Sequence, residues 1–104
     1  MLEALQLVRR YTEGLSKVDF LNDRKTQQAV ILNIQVVGEA AARLAECAPE
    51  LVVHHPEVDW KGMRGMRNRL AHGYFEINLD LVWDTVQLSL PALEEHVLGM
   101  LREL

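Results

Sequence analysis

The chain has one cysteine among its 104 residues, Cys47, so no disulfide can close within it and no oxidising compartment is implied. In an alanine-rich helix end that thiol is expected to be a small buried side chain without chemistry of its own. Long apolar runs are missing too. The longest uncharged stretch, Thr26 to Gly38, falls short of the roughly 20 residues a bilayer span needs and is interrupted by Gln and Asn. Glu3, Arg9 and Arg10 already stand in the first eleven residues, which argues against an apolar leader. A cytoplasmic protein is expected. No stretch alternates apolar and polar residues between turn signals as a hairpin would. No linker, internal repeat or low-complexity segment divides the chain, so residues 1–104 are expected to form one domain. At 49% hydrophobic and 25% charged residues, the composition is that of an ordinary folded domain and excludes a disordered one.

What remains is helical periodicity. A first helix is expected from Met1 to Glu13, with Leu5, Val8 and Tyr11 turned inward and Gly14 as its stop. A loop through Ser16 and Asp19 then tucks Phe20 and Leu21 under the helices. Asp23 is placed to cap a second helix from Arg24 to Cys47. Ala29, Leu32, Val36, Ala40 and Leu44 form one apolar stripe on it, widened by Val30, Ile31, Ile34, Val37 and Ala41. A helix so broadly apolar is central, or faces both its own core and a partner subunit. Gly38, followed by Ala41, Ala42 and Ala45, points to a neighbouring helix packed unusually close. Pro49 ends this helix and Pro56 keeps the following stretch extended.

Asp59 can cap a third helix from Trp60 to about Ala71, with Trp60, Met63, Met66 and Leu70 inward. Gly73 is positioned to break it. Asn78 or Asp80 starts a last long helix presenting Val82, Val86, Leu90, Leu93, Val97 and Leu101, kinked by Pro91. The sum is an all-α protein, a four-helix up-and-down bundle.

The net charge of −4 argues against a polyanionic partner until its distribution is considered. Lys61, Arg64, Arg67 and Arg69 lie between Trp60 and Phe75 with no acid among them, a local +4. The rest of the chain has seven bases against fifteen acids, a net −8. A concentrated basic segment on an acidic body suits a specific anion site.

His54-His55 has no third ligand at metal spacing and is expected to be a loop pair. His96, beside Glu94 and Glu95, is expected at the surface. No paired acids suggest a carboxylate mechanism, and neither a metal nor a cofactor is expected.

Arg67 and His72 carry the remaining chemistry. Five residues apart, they are separated by about 140° on an unbroken helix. Gly73 lets the chain leave helical geometry there, so that the imidazole can swing towards the guanidinium. Arg67 offers a planar fork of donors for phosphate, and His72 exchanges a proton near neutrality. These groups suffice in principle to cleave RNA without metal. The imidazole assists attack by the ribose 2′-hydroxyl, and the fixed cation stabilises charge on the phosphoryl oxygens. The helix C-terminus favours the imidazolium whereas Arg67 and Arg69 disfavour it, so base, acid and phosphate-binding roles all stay open. An Arg and a His at this spacing also describe a surface cation and a helix-capping histidine.

The string Arg67-Asn68-(three residues)-His72-Gly73-Tyr74 resembles the R-x4-H-x-Y motif of HepT proteins, within the HEPN superfamily of helical ribonucleases. Phe20, Thr26 to Val30 and Val37 to Ala41 look like that family's second helix. Pro56, Asp59-Trp60 and Gly65 to Asn68 look like its approach to the motif, and Leu81 to Trp83 with Leu90-Pro91 like its closing helix. The first helix looks shorter than in the family. The resemblance implies a HEPN-like homodimer in which two motifs form one composite cleft, and a toxin ribonuclease acting without metal, with Arg67 and His72 catalytic. It further implies a nucleotidyltransferase antitoxin of the MntA type that transfers AMP to the motif tyrosine, here Tyr74. This chain lacks a glycine-rich phosphate loop and is not expected to be that transferase. Asn68 is expected to orient the site, while charge assigns Lys61, Arg64 and Arg69 to holding RNA phosphates. The other readings are a non-catalytic dimer that binds RNA or the nucleotidyltransferase, and a purely structural dimer.

Overall fold

The computed structural model describes residues 1–72 and 77–103, and for Ala71 and His72 the backbone alone. Helix α1 spans Leu2–Thr12 and turns Ala4, Leu5, Val8 and Thr12 inward. The Thr12 hydroxyl is satisfied by donating to the Val8 carbonyl at 2.9 Å. Tyr11, expected inside, is instead 42% exposed: Thr12 takes the last inward place, and a phenol tolerates the wet edge. Gly14 follows at φ +77°, the one positive φ among the described residues, where a side chain would strain the backbone.

The expected loop after Gly14 contains a short helix, α2 (Lys17–Leu21), set by a reciprocal cap. The Ser16 hydroxyl accepts from the Asp19 N–H at 3.1 Å, and the Asp19 carboxylate accepts from the Ser16 N–H at 3.2 Å. Phe20 is fully buried, but Leu21 is 37% exposed, because five helical residues can bury only one narrow face. The Phe20 ring lies 5.3 Å from that of Trp83.

Helix α3 (Arg24–Cys47) begins at Asp23, whose carboxylate accepts from the Thr26 N–H at 3.1 Å and from its hydroxyl at 2.6 Å. It is the central helix, flanked by α1 and α5 (Trp60–His72). Val30, Ile31, Ile34, Val37, Gly38 and Ala41 are its buried face. Of the expected stripe, Leu32 and Val36 face outward. Cys47, expected to be buried, is exposed, since α3 runs past its last buried residue, Ala41, by more than a turn. Pro49 opens a further short helix, α4 (Pro49–His54), instead of an extended stretch. Its missing N–H costs nothing in the first helical turn.

Asp59 caps α5 as expected, with its carboxylate accepting from the Gly62 N–H at 2.9 Å. Trp60 and Leu70 are buried, and Met63 and Met66 pack against the core. Asn78 caps α6 (Leu79–Asp84) through the Leu81 N–H at 3.1 Å. A π-helical turn, Thr85–Ser89, then joins α6 to α7 (Leu90–Arg102). Pro91 explains the turn. It has no N–H to give to Gln87, and its ring would press on that carbonyl in an α-helix. The Leu90 N–H bonds to the Thr85 carbonyl five residues back, and the widened turn absorbs the misfit. Val82, Val86, Leu90, Leu93 and Val97 stay buried along one face across this junction, whereas Leu101 is 48% exposed beyond the core. The described residues are thus all-helical. Beyond the four expected long segments (α1, α3, α5, and α6 to α7), they include the short α2 and α4.

Candidate active site

Gly38 fixes where α5 sits. A methyl built on it would collide with the Arg67 Cβ and approach the Met63 carbonyl oxygen to 2.8 Å. The close-packed neighbour that Gly38 implies is therefore α5, and the contact falls on Arg67 itself. With the two backbones this near, the Arg67 side chain emerges over the next residue of α3. Arg67 Nη1 donates to Glu39 Oε2 at 2.8 Å. Its Nε and Nη2 donate to the Asn68 side-chain oxygen at 3.2 and 2.9 Å. Arg43, one turn along α3, brings its Nε to 3.6 Å from the other Glu39 oxygen.

The guanidinium is held on two sides, and the Arg67 side chain as a whole remains 28% exposed. Among the described residues three of its five N–H groups are occupied, and the other two have no partner there. Sequence reasoning paired Arg67 with Asn68 and missed Glu39. Glu39 is not legible as the partner of Arg67 because the contact spans 28 residues and no local pattern marks it.

The other basic residues divide between two flanks of α5. Arg64 lies one turn before Arg67 and Asn68 on the same side, with Lys61 one turn earlier still. Lys61 is exposed, and Arg64 is half-buried with its Nε without a hydrogen-bond partner among the described residues. Arg69 lies on the opposite flank, beside Met66, where it lines a groove facing α7. The structure thus brings Arg67, Asn68 and Arg64 together and sets Arg69 apart from them.

Helix α5 continues through His72, so the backbone carries the Arg67 and His72 positions about 140° apart around one axis. The expected break at Gly73, and Tyr74, lie outside the described residues, as does the His72 side chain. His54 ends α4. His55, the other half of the expected loop pair, is largely buried between Glu57 and Glu103, at 3.0 and 3.5 Å from its two ring nitrogens.

The family model described as Ribonuclease HepT-like matches residues 1–100. A protein of Methanocaldococcus jannaschii that carries an RNase name is 38% identical over 91 residues, covering 88% of this chain and 73% of that protein. A probable ribonuclease HepT of Thermococcus cleftensis is 37% identical over 92 residues, 88% of this chain and 81% of its own length. An RNase-named protein of Caldanaerobacter subterraneus subsp. tengcongensis is 30% identical over 103 residues, 99% of this chain and 89% of its own. No solved structure matches the chain significantly. With a family model spanning nearly the whole chain and relatives of this similarity, the chain belongs to the HepT-like ribonuclease family.

Proposed function

We propose that this chain is a metal-independent endoribonuclease, the toxin of a HepT/MntA-type pair, acting as a homodimer with Arg67 and His72 as its catalytic residues. The observation that carries the reading is the guanidinium of Arg67. Glu39 and Asn68 hold it in one orientation, and among the described residues its two other N–H donors are unengaged and can serve a phosphate. A preoriented cation of this kind stabilises charge developing on phosphoryl oxygens without reorganising during the reaction. In the step proposed, the ribose 2′-oxygen loses its proton and bonds to the adjacent phosphorus. The bond to the 5′-oxygen breaks, and that oxygen is protonated. His72 is assigned to one of the proton transfers. The products are a 2′,3′-cyclic phosphate and a 5′-hydroxyl. Lys61 and Arg64 extend the cationic surface along the strand, and Arg69 meets phosphates only on the far flank of α5.

Two features support a dimer. On a helix running through His72, the Arg67 and His72 positions diverge around the axis, so a second copy is the natural source of the opposite wall. Leu32 and Val36 are 60% and 44% exposed on the face of α3 that also presents Glu39. They offer an apolar strip for that copy to cover. AMP transferred to Tyr74 by an MntA-like nucleotidyltransferase would add negative charge beside a phosphate site and so inhibit it.

The test is cleavage of RNA in EDTA by wild type and by Arg67→Ala and His72→Ala. Wild type is expected to leave 2′,3′-cyclic phosphate ends and both variants to be inactive. A folded wild-type dimer that leaves RNA intact would refute the enzymatic reading. Binding without cleavage, unchanged in His72→Ala, would favour the non-catalytic RNA-binding dimer. For the modification, incubation with the transferase and ATP is expected to add AMP to wild type but not to Tyr74→Phe.

A further inference from the structure

Arg67 stands in the basic segment, but the residue that receives its guanidinium does not. Glu39 lies on α3 beside Gly38, where a methyl would collide with the Arg67 Cβ. Its two carboxylate oxygens are divided between two arginines. Oε2 accepts from Arg67 Nη1 at 2.8 Å, and Oε1 lies 3.6 Å from Arg43 Nε. Arg43 is one turn further along α3, so it ties the carboxylate to its own helix, while Arg67 ties it to α5.

So open a network does little for the fold. The Glu39 and Arg43 side chains are 52% and 77% exposed, and exposed ion pairs stabilise only weakly. Its consequence is orientation. Asn68 Oδ1 accepts from Nε and Nη2 of Arg67, and Glu39 takes Nη1. The N–H groups without a partner among the described residues are therefore one on Nη1 and one on Nη2. Such a pair suits two oxygens of a single phosphate. Asn68 is the chain neighbour of Arg67 and moves with α5. Among the described residues, Glu39 alone ties the guanidinium to a second helix.

We infer that Glu39 is the positioning residue of the catalytic arginine, and that Arg43, on its second oxygen, keeps the carboxylate turned towards Arg67. This role presupposes the ribonuclease reading, with Arg67 as the cation of the reaction. Glu39 acts through Arg67 and does not hold the RNA, because a carboxylate repels phosphate. Removing it therefore lowers the rate of cleavage without weakening the hold on RNA. A residue needed only for the fold would lower both.

Cleavage kinetics are measured beside binding of a short single-stranded 2′-O-methyl RNA, which has no 2′-hydroxyl to attack. Glu39→Ala is expected to lower kcat by about tenfold while leaving affinity for that RNA unchanged or higher. Glu39→Gln keeps an acceptor for Nη1 and is expected to recover about threefold of the loss. Arg43→Gln is expected to lower kcat by about twofold in wild type and to have no effect in Glu39→Ala, since it acts only through Glu39. Unfolding midpoints are expected to stay within a few degrees of wild type. Wild-type kcat in Glu39→Ala overturns the proposal, as does a loss of affinity that matches the loss of kcat. A Glu39→Ala chain that fails to fold makes Glu39 a structural residue and overturns its assignment too. Glu39→Gln no better than Glu39→Ala overturns positioning by a hydrogen bond, and an Arg43→Gln effect that persists in Glu39→Ala overturns the part given to Arg43. If wild type leaves RNA intact, or Arg67→Ala cleaves as wild type does, the ribonuclease reading itself fails.

Discussion

Gly38→Ala tests the packing argument most directly, because simple helix propensity and the structure predict opposite signs. In a helix interior, alanine is favoured over glycine by about 1 kcal/mol. The new methyl, however, would collide with the Arg67 Cβ and lie 2.8 Å from the Met63 carbonyl oxygen. Neither neighbour is the loose end of a side chain, so relief requires α5 to move off α3. Overpacking of this kind costs about 1–3 kcal/mol, which leaves a net loss of about 1 kcal/mol. For a domain of this size that lowers Tm by about 4–8 °C. Gly99→Ala is the internal control, since nothing lies within 4 Å of a methyl there. It is expected to raise stability by up to about 1 kcal/mol. Urea and thermal unfolding at one fixed protein concentration make the comparison, since dimerisation would shift both. RNA cleavage should fall with Gly38→Ala, because Arg67 rides on the displaced helix. If Gly38→Ala raises stability as Gly99→Ala does, α5 does not abut α3 as described and the geometry of Arg67 loses its basis.

Glu39→Ala is expected to lower kcat by about tenfold by releasing the Arg67 guanidinium; cleavage at the wild-type rate would show that the ion pair does not position it. Asn78→Ala removes the cap of α6 and should cost about 1 kcal/mol in urea unfolding. Acid should weaken the fold through two carboxylates. The Thr26 hydroxyl and N–H hold Asp23 below its ordinary pKa, and the Glu57 backbone N–H and then His55 do the same for Glu57. Stability from a depressed carboxylate is complete above its unfolded pKa of about 4 and is lost as pH falls through the lower folded value. Unfolding midpoints measured from pH 7 down to about 3 should therefore decline at the acid end, and Asp23→Ala should flatten that decline. Lys17 runs the other way. Its ion pair with Asp80 raises its pKa, so its contribution is present at neutral pH and is lost only in strong alkali.

Helix existence was legible because it rests on local chemistry. Asp23, Asp59 and Asn78 satisfy backbone N–H groups three residues on, and Gly14 takes a φ that other residues avoid. The bounds of α3 followed from such signals. Proline was harder to read. Pro91 announced a distortion, but whether a kink or a π-helical turn absorbs it depends on keeping Leu90 and Leu93 in register with Val86 in the core. Cys47 and Leu101 were misplaced because each stands near a helix end, beyond the last buried residue of its helix.

For the candidate site, sequence alone determined the ingredients. Arg67, Asn68 and His72 stand at fixed spacing in a basic segment free of acids, because charge and spacing are properties of the chain itself. Gly38 declared a close approach but not its partner. Tertiary structure decided that the partner is α5 and that Glu39 receives the Arg67 guanidinium. It also set Arg69 on the opposite flank, facing a groove towards α7. Those outcomes depend on the rotation and separation of helices distant in sequence, which are fixed by packing the whole core at once.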